Sequence, residues 1–203
     1  AGKRQGAGHP PPHPRLTGMD NLLQAAFFVL GTAALVFVSR QSLLRPRSHG
    51  FYRFFAWECI LALFLFNARA WFRDPLAWYQ LISWTLLVLS LVLVFLGGHQ
   101  LRQAGSQDAA RRDPSLLGLE KTARLVTSGV YRHIRHPMYS SLLWLAWGIF
   151  FKLPSWSGGG LALICTLLLT LTARIEEREN IAYFGAEYAA YMQRSKRFIP
   201  FIF

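Results

Sequence analysis

Five runs of apolar residues dominate the sequence. They extend from Leu22 to Val38, Phe54 to Ala68, Leu76 to Leu96, Met138 to Leu153 and Trp156 to Ala173. A membrane-spanning helix needs about 20 mostly apolar residues, with about 17 to 25 tolerated. The first and third runs are each long enough to span a membrane. The second is marginal, and the last two are slightly short. Only 16% of the residues are charged, against about 25% in an average soluble domain, so we expect an all-α integral membrane protein.

The segment PSWSGGG joins the last two runs. Pro154 and the glycines Gly158–Gly160 do not favour continuation of a helix, so the pattern predicts that the two runs form a helical hairpin. This gives about five transmembrane helices. Tryptophans such as Trp71, Trp78 and Trp156 lie near the ends of these runs, where aromatic belts meet the membrane interface.

The net charge of +12 would also suit a nucleic-acid-binding protein, but the positions of the basic residues indicate a membrane topology instead. With five spans, sixteen of the 22 lysines and arginines lie on one side of the membrane. The other six are Lys3, Arg4, Arg15, Arg69, Arg73 and Lys152. The positive-inside rule then predicts a cytoplasmic C-terminus, cytoplasmic C-terminal helices and an external N-terminus. Attraction to anionic membrane lipids is a second consequence, and no nucleic-acid partner is expected.

The chain is expected to form one membrane-embedded domain over residues 21–203. Residues 1–20 are rich in Gly, Pro and His and lack apolar periodicity, which predicts a disordered arm or a tag remnant. The histidines of this arm have no carboxylate or thiol nearby, so we predict no metal site.

Three polar or reactive residues lie within the apolar runs. Cys59 and Cys165 are expected to be small packed side chains, because neither a disulfide framework nor a zinc site fits such positions. Glu58 is a candidate functional group, since an ionisable side chain at membrane depth is costly. The simpler interpretation is a glutamate paired with a neighbouring polar group inside the bundle.

Two polar stretches, residues 125–139 and 174–200, flank the hairpin, which brings them together at the cytoplasmic face. Pro137 is suited to the first turn of a helix and favours an extended His136. The free N–H groups of that helix start, beside Arg135, form a potential site for a carboxylate or phosphate. Alternatively, the arginines there are a basic cap that reaches the lipid headgroups.

In the second stretch, spacings of 4, 3, 4 and 3 predict that five residues share one helix face: Glu177, Ile181, Phe184, Tyr188 and Tyr191. Gly185 is a possible break in this helix. Glu176 and Glu179 fall on other faces and are expected to be solvated. The alternative is an amphipathic helix packed on the bundle, with Glu177 compensating a helix dipole.

These residues also carry a resemblance to a known family. Gly129, Tyr131, Arg135, His136, Pro137 and Tyr139 form the pattern G-x-Y-x-x-x-R-H-P-x-Y, which is followed by the pair Glu176-Glu177, by FGAEYAAYM and by RFIP. In this order the motifs resemble those of the integral-membrane isoprenylcysteine carboxyl methyltransferases, which are similar to phospholipid N-methyltransferases. The resemblance extends over roughly residues 76–200. It differs at Asn180, where an apolar residue is usual, and in the tract Gly105–Gly118, which lacks an expected aromatic residue.

The resemblance implies that S-adenosylmethionine binds at the cytoplasmic face, mainly between residues 97–140 and 174–200. The pocket residues that it implies are His99, Leu125, Val126, Gly129, Tyr131, Arg135, His136, Pro137, Tyr139, Glu177 and Tyr188. Three of the tyrosines would hold the sulfonium by cation–π contacts, and Arg135 with the helix N-terminus would take the methionine carboxylate.

The methyl acceptor implied by the resemblance is a lipidic or small apolar molecule that enters from the bilayer. Transfer to a carboxylate needs no general base, and Arg174 at the membrane boundary would hold such an acceptor. An amine or a thiol would need a base, for which Glu177 and His136 are candidates. The catalytic candidates are therefore Arg174 and Glu177. Two other functions stay open, namely an NADPH-dependent membrane reductase and a non-catalytic membrane scaffold.

Overall fold

The computed structural model describes residues 14–104 and 124–202, with the side chains of residues 21–103 and 124–202. Six helices form the described part: α1 (Pro14–Leu43), α2 (His49–Phe66), α3 (Trp78–Ala104), α4 (Pro137–Phe150), α5 (Trp156–Phe184) and α6 (Ala186–Arg194). Short 3₁₀ turns cover Ala68–Ala70 and Gly129–Arg132. Most of the predicted arm and the Gly105–Gly118 tract lie outside the described residues. The all-α prediction is confirmed, because the described residues contain one isolated β-bridge and no strand.

Two helices begin earlier than the apolar runs indicate. α1 begins at Pro14, within the predicted arm, because proline is well suited to the first turn of a helix. α2 begins at His49, where the Ser48 hydroxyl accepts a hydrogen bond from the Phe51 amide (3.3 Å). Arg53, which directly precedes the second apolar run, therefore lies in the second turn of α2 and is buried.

The prediction that the glycines after α4 lie outside a helix is wrong. Gly158–Gly160 lie in the first turns of α5, and the Ser155 hydroxyl caps that helix by accepting a hydrogen bond from the Gly158 amide (3.1 Å). A Cβ at Gly158 would lie only 3.0 Å from the Ser155 hydroxyl and 3.4 Å from the Phe150 ring. The missing side chain thus allows the end of α4 to pack closely on the start of α5.

α5 continues without interruption past the predicted end of the fifth run and carries the Glu176-Glu177 pair. It ends where Gly185 adopts a φ of 59°, which glycine tolerates better than other residues. The predicted break at this residue is confirmed.

Four helices, α1, α2, α3 and α5, are long and apolar enough to cross a membrane. The 14 residues of α4 extend over about 21 Å, less than the roughly 30 Å hydrocarbon core of a bilayer. α4 runs antiparallel to α5, since Tyr139 at its start contacts Glu176 and Phe150 at its end lies beside Gly158. α1 and α3 expose many large apolar side chains, as expected for a protein surrounded by lipid.

Small and branched apolar residues fill the core where α5 packs against α2 and α4. Both cysteines are free, and Cys165 is fully buried with its thiol 3.6 Å from the Ala56 carbonyl. The expected pairing of Glu58 is confirmed, because the Thr32 hydroxyl donates to its Oε2 (2.9 Å). The core therefore accommodates the reactive residues of the apolar runs as packed or paired side chains.

One end of the bundle gathers the polar stretches. His49 at the start of α2 contacts Glu179 near the end of α5, and Gln100 near the end of α3 accepts a hydrogen bond from the Val130 amide (3.0 Å). At the opposite end the buried Lys152 ammonium donates to Gln80 (3.0 Å) and lies 3.1 Å from the centre of a Trp84 ring. The polar residues preceding α4 and those at the end of α5 thus meet at one end.

Candidate active site

A pocket opens at this polar end, between the end of α3, the start of α4, the end of α5 and α6. It is lined by Leu101, Leu125, Val126, Tyr131, Arg135, His136, Pro137, Met138, Tyr139, Glu176, Asn180, Phe184, Tyr188 and Tyr191. Its free space is about 620 Å³, including the part open to solvent. The two polar stretches that flank the hairpin region therefore form one cavity.

The start of α4 is held in place by residues 195–198, which we call the C-terminal strap. His136 precedes the helix and Pro137 is its first residue. The Arg135 amide donates to the Lys196 carbonyl (2.7 Å), and the His136 amide donates to the Arg197 carbonyl (3.2 Å). The Ser140 hydroxyl, one turn into α4, donates to the Phe198 carbonyl (2.9 Å). These bonds fix the residues that face the pocket.

Glu177 lies beside the pocket and binds two arginines. Its Oε1 accepts from Arg135 Nε (2.9 Å) and Arg197 Nε (3.2 Å), while its Oε2 accepts from Arg197 Nη2 (2.8 Å). Arg135 also donates to the carbonyls of Met192 (3.1 Å) and Ser195. A buried carboxylate is stabilised by such charge-assisted bonds. Glu177 and Arg135 therefore join α5, the start of α4 and the C-terminal strap.

Glu176 points to a different set of residues. Its Oε2 accepts from the Tyr139 hydroxyl (2.5 Å), and the Tyr139 ring stacks on the His136 ring with centroids 5.4 Å apart. The side chain of His136 is 3% exposed, and its Nε2 is buried without a hydrogen-bond partner. That atom lies 3.5 Å from Glu177 Oε1. The wall of the pocket thus contains an aromatic pair and a carboxylate, and the His136 imidazole lies between the two glutamates.

Two tyrosines of α6 complete this wall. The Tyr191 hydroxyl donates to the Tyr131 carbonyl (2.5 Å), and burial raises the pKa of Tyr191 to about 12. Burial, with the nearby Glu176 carboxylate, also raises the pKa of Tyr188 well above its usual range. The Tyr188 hydroxyl is hydrogen-bonded to the side chain of Asn180. Both phenols are therefore neutral aromatic surfaces at physiological pH.

The structure brings eight of the residues implied by the resemblance into the lining of this pocket. They are Leu125, Val126, Tyr131, Arg135, His136, Pro137, Tyr139 and Tyr188. Gly129 lies just outside with a φ of 57°, and a Cβ there would overlap the Gln100 amide. Glu177 faces the arginines rather than the cavity.

Two of the implied residues lie elsewhere. His99 stacks on Phe95 and lines a separate groove on the outer face of α3. Arg174 is exposed on α5 and does not line the pocket. The two are thus separated from the cavity that the other residues form.

Sequence reasoning missed the α5 face that meets the pocket. Glu176, Asn180 and Phe184 line it, whereas Ile181, assigned to the same face as Glu177, is 40% exposed. The expectation that Glu176 is solvated is wrong, since its side chain is only 15% exposed. The spacings of four and four between Glu176, Asn180 and Phe184 carried this signal. The signal was obscured because Glu177, directly beside Glu176, begins a second set of helical spacings. Among the described residues, no three His, Cys, Asp or Glu side chains come together as a metal site.

Comparison with known proteins identifies the family. The family model of the phospholipid methyltransferases matches residues 78–187, more than half of the chain. The chain belongs to the phospholipid methyltransferase family. With four long apolar helices, it is an integral membrane protein. The matched segment contains α3, α4, α5 and the loop that carries the RHPxY motif, but neither α2 nor the C-terminal strap.

The names of individual relatives contain two kinds of methyl acceptor. The chain is similar to the protein-S-isoprenylcysteine O-methyltransferase of Mus musculus, with 33% identity over 139 residues that cover 64% of the chain and 47% of the relative. The Saccharomyces cerevisiae protein of that name is 30% identical over 150 residues, which cover 71% of the chain and 59% of the relative. Methanethiol S-methyltransferase 1 of Bradyrhizobium diazoefficiens is 34% identical over 88 residues, which cover 42% of the chain and 30% of the relative.

The chain spans about half the length of the curated relatives that it matches. No solved structure gives a significant match.

Proposed function

We propose that the protein transfers a methyl group from S-adenosylmethionine to a lipidic or small apolar acceptor at the cytoplasmic face of the membrane. Family membership supports the reaction type, and the pocket at the polar end of the bundle supports the site. The positive-inside rule supports the orientation, because the five-span topology predicted from the sequence assigns sixteen of the 22 basic residues to the side of the C-terminus. In this orientation the C-terminus is cytoplasmic.

The residues of the pocket fit S-adenosylmethionine. Tyr131, Tyr139 and Tyr188 would hold its positive charge against their rings, and Leu125, Val126 and neighbouring apolar side chains would enclose its adenine. When bound, the cofactor supplies a methyl group on a sulfonium. The chain itself binds and orients both partners and excludes water from between them, which favours a reaction that neutralises charge.

One observation carries this proposal. His136 lines the pocket at the N-terminal end of α4, its ring stacks on Tyr139, and its Nε2 lies 3.5 Å from Glu177 Oε1. The N-terminus of a helix attracts anionic groups, so this end of the pocket is suited to the carboxylate of the cofactor. His136 and the start of α4 would then bind the polar part of the cofactor. Arg135 would orient the helix start, because its guanidinium already binds Glu177.

For the acceptor, we favour the carboxylate of a prenylcysteine-like molecule, as the names of the O-methyltransferase relatives suggest. Such an acceptor needs no base. The exposed Arg174, one turn before Glu177 on α5, would bind it as it arrives from the bilayer. A thiol is the second candidate, supported by the S-methyltransferase relative, and a phospholipid amine is a third. For these protic acceptors Glu176 is better placed as the base than Glu177, because it lines the cavity.

Calorimetry with S-adenosylhomocysteine and with NADPH tests the cofactor. We expect wild type to bind S-adenosylhomocysteine and His136→Ala to bind it tenfold or more weakly. The loss of a buried polar contact costs about 1–3 kcal/mol of binding free energy, which corresponds to a change of this size. His133→Ala is the matched control, since His133 is exposed and does not line the pocket. Binding of NADPH alone would indicate a reductase, and binding of neither a scaffold.

Radiolabelled methyl transfer into a total membrane extract tests the acceptor. A carboxyl methyl ester releases labelled methanol in mild alkali, whereas a methylated thiol or amine keeps the label. We expect alkali-labile label, and a several-fold loss of it in Arg174→Ala with unchanged affinity for S-adenosylhomocysteine. Arg174→Lys, which retains the charge, is expected to restore part of the transfer. Alkali-stable label would favour the thiol or amine.

A further inference from the structure

A turn follows the C-terminal strap and exposes two large apolar side chains. The Ile202 amide donates to the Ile199 carbonyl (3.3 Å) and closes this turn, in which Pro200 occupies a position that proline favours. Phe201 adopts a φ of 67°, which is uncommon for a residue with a bulky side chain and costs free energy. Phe201 and Ile202 are 82% and 76% exposed. The backbone therefore adopts a costly conformation that leaves both side chains outside the core.

Three exposed basic residues lie beside this turn, namely Arg132, Arg194 and Lys196. The His133 ring lies 5.8 Å from the Phe201 ring, measured between centroids, and the His133 carbonyl accepts a hydrogen bond from the Lys196 amide (2.9 Å). These contacts join the segment of Arg132 to that of Arg194 and Lys196. In the part of the chain that the structure describes, none of the three basic side chains pairs with a carboxylate. We call the three basic residues, with Phe201 and Ile202, the C-terminal patch.

The C-terminal patch lies at the level of a membrane surface. α5 begins at Trp156, which is 99% exposed, as expected for an aromatic side chain at the opposite interface. Glu177 lies 21 residues further along α5, about 31 Å along the helix axis, which is close to the roughly 30 Å thickness of the hydrocarbon core. Arg197 of the strap donates to Glu177 (2.8 Å). The strap and the adjoining patch are therefore at the edge of the hydrocarbon core.

We propose that the C-terminal patch binds anionic lipids of the leaflet beside it. Phe201 and Ile202 insert between the headgroups, a position that suits aromatic and aliphatic side chains, while the three cations contact the headgroup phosphates. Insertion also offsets the cost of the positive φ at Phe201, because the ring then leaves water. In the proposed orientation this is the cytoplasmic leaflet, whose surface is negative.

Lipid binding at the patch acts on the pocket through the C-terminal strap. The Phe198 carbonyl accepts from the Ser140 hydroxyl (2.9 Å), and the Arg197 carbonyl accepts from the His136 amide (3.2 Å). A strap immobilised by lipid keeps the start of α4, with His136, in the pocket wall. The affinity of the pocket for its ligand therefore depends on anionic lipid. This consequence rests on the proposed function, whereas the lipid contact itself does not.

A fluorophore on Ile202→Cys tests the lipid contact. Cys59→Ala removes the half-buried native thiol, and Cys165 is fully buried. The full chain is reconstituted into nanodiscs whose lipids all carry brominated acyl chains, either phosphatidylcholine alone or phosphatidylcholine and phosphatidylglycerol in equal amounts. We expect the bromines to quench the fluorophore strongly with phosphatidylglycerol and weakly without it. The triple variant Arg132→Gln, Arg194→Gln, Lys196→Gln should be weakly quenched in both lipids.

The matched control is the triple variant Arg40→Gln, Arg45→Gln, Arg47→Gln. These arginines are exposed at the end of α1 and in the loop before α2, so the variant removes the same charge without changing the patch. Its quenching should equal that of the labelled chain without these substitutions. Quenching in neither lipid, equal quenching in both, or an equal loss in the control variant overturns the proposal.

Calorimetry of the unlabelled protein in nanodiscs of the same headgroups measures the consequence for the pocket. We expect wild type to bind S-adenosylhomocysteine about fivefold or more tightly with phosphatidylglycerol than without it, and the triple variant of the patch to bind equally in both lipids. Lipid-dependent quenching with equal affinity in both lipids would contradict the effect of the patch on the pocket. If the protein binds no S-adenosylhomocysteine in either lipid, the proposed function fails, while the quenching still decides whether the patch binds anionic lipid.

Discussion

The neighbouring glutamates of α5 are expected to give opposite phenotypes when each is replaced by glutamine. Glu177 accepts three hydrogen bonds from two guanidinium groups within 3.2 Å, and its side chain is 5% exposed. Breaking one partner of such a buried pair costs about 3–5 kcal/mol, because the remaining charge is left uncompensated. For a chain of this length, 1 kcal/mol corresponds to about 2–4 °C in melting temperature. Glu177→Gln is therefore expected to melt about 10 °C below wild type.

Glu176→Gln is the matched variant. A glutamine amide oxygen still accepts the Tyr139 hydroxyl, so the loss of stability should be smaller. The negative charge in the pocket wall disappears, however, so we expect the affinity for S-adenosylhomocysteine to fall about tenfold. A tenfold change corresponds to about 1.4 kcal/mol of binding free energy. Melting curves of the detergent-purified variants measure the first quantity, and calorimetry well below the melting temperature measures the second.

The arginine partners supply the control for Glu177. If Glu177 acts through its ion pairs, Arg197→Met should destabilise wild type strongly but have little effect in Glu177→Gln, because the pair is already broken. A Glu177→Gln variant that melts within 2 °C of wild type and yet loses S-adenosylhomocysteine affinity would refute this reasoning. Such a result would mean that Glu177 contacts the ligand directly.

Two further substitutions test the frame of the pocket. Gly129→Ala should lower the free energy of unfolding by about 2–3 kcal/mol, because the alanine would be strained at a φ of 57° and its Cβ would displace the Gln100 side chain. Melting experiments measure this loss, and a variant as stable as wild type would contradict the tight turn. Tyr191 ionises at about pH 12 when folded but near 10 when unfolded, so its contribution to stability is present below pH 10 and decreases from pH 10 to 12. Tyr191→Phe should flatten this part of the profile, and an unchanged slope would exclude Tyr191 as the cause.

The sequence predicts the helices well because their apolar runs are long. It also predicts that residues 125–139 and 174–200 meet, since α4 and α5 are consecutive and antiparallel. The family resemblance adds the identity of most residues in the lining, such as Tyr131 and His136. These features depend on local pattern and chain order, which a single sequence contains.

The orientation of the glutamates was not predictable in the same way. Periodicity assumes a helix with one buried face, but α5 packs against α2 on one side and α4 on the other. Both Glu176 and Glu177 are therefore buried, against different partners. The contact of His49 with Glu179 joins residues 130 positions apart, and no short-range pattern indicates it. Burial on two sides and long-range pairing thus account for the main errors.

The contacts that hold the pocket together extend beyond the segment that the family model matches. The matched residues 78–187 include Glu177 and Glu179, both of which need partners from outside it. Arg197 of the C-terminal strap binds Glu177, and His49 of α2 binds Glu179. A chain restricted to the matched segment would leave Glu179 without His49, Glu177 without Arg197 and the start of α4 without its strap. Charged groups at the ends of α5 and α2 therefore link the family's pocket to the parts of the chain on either side of it.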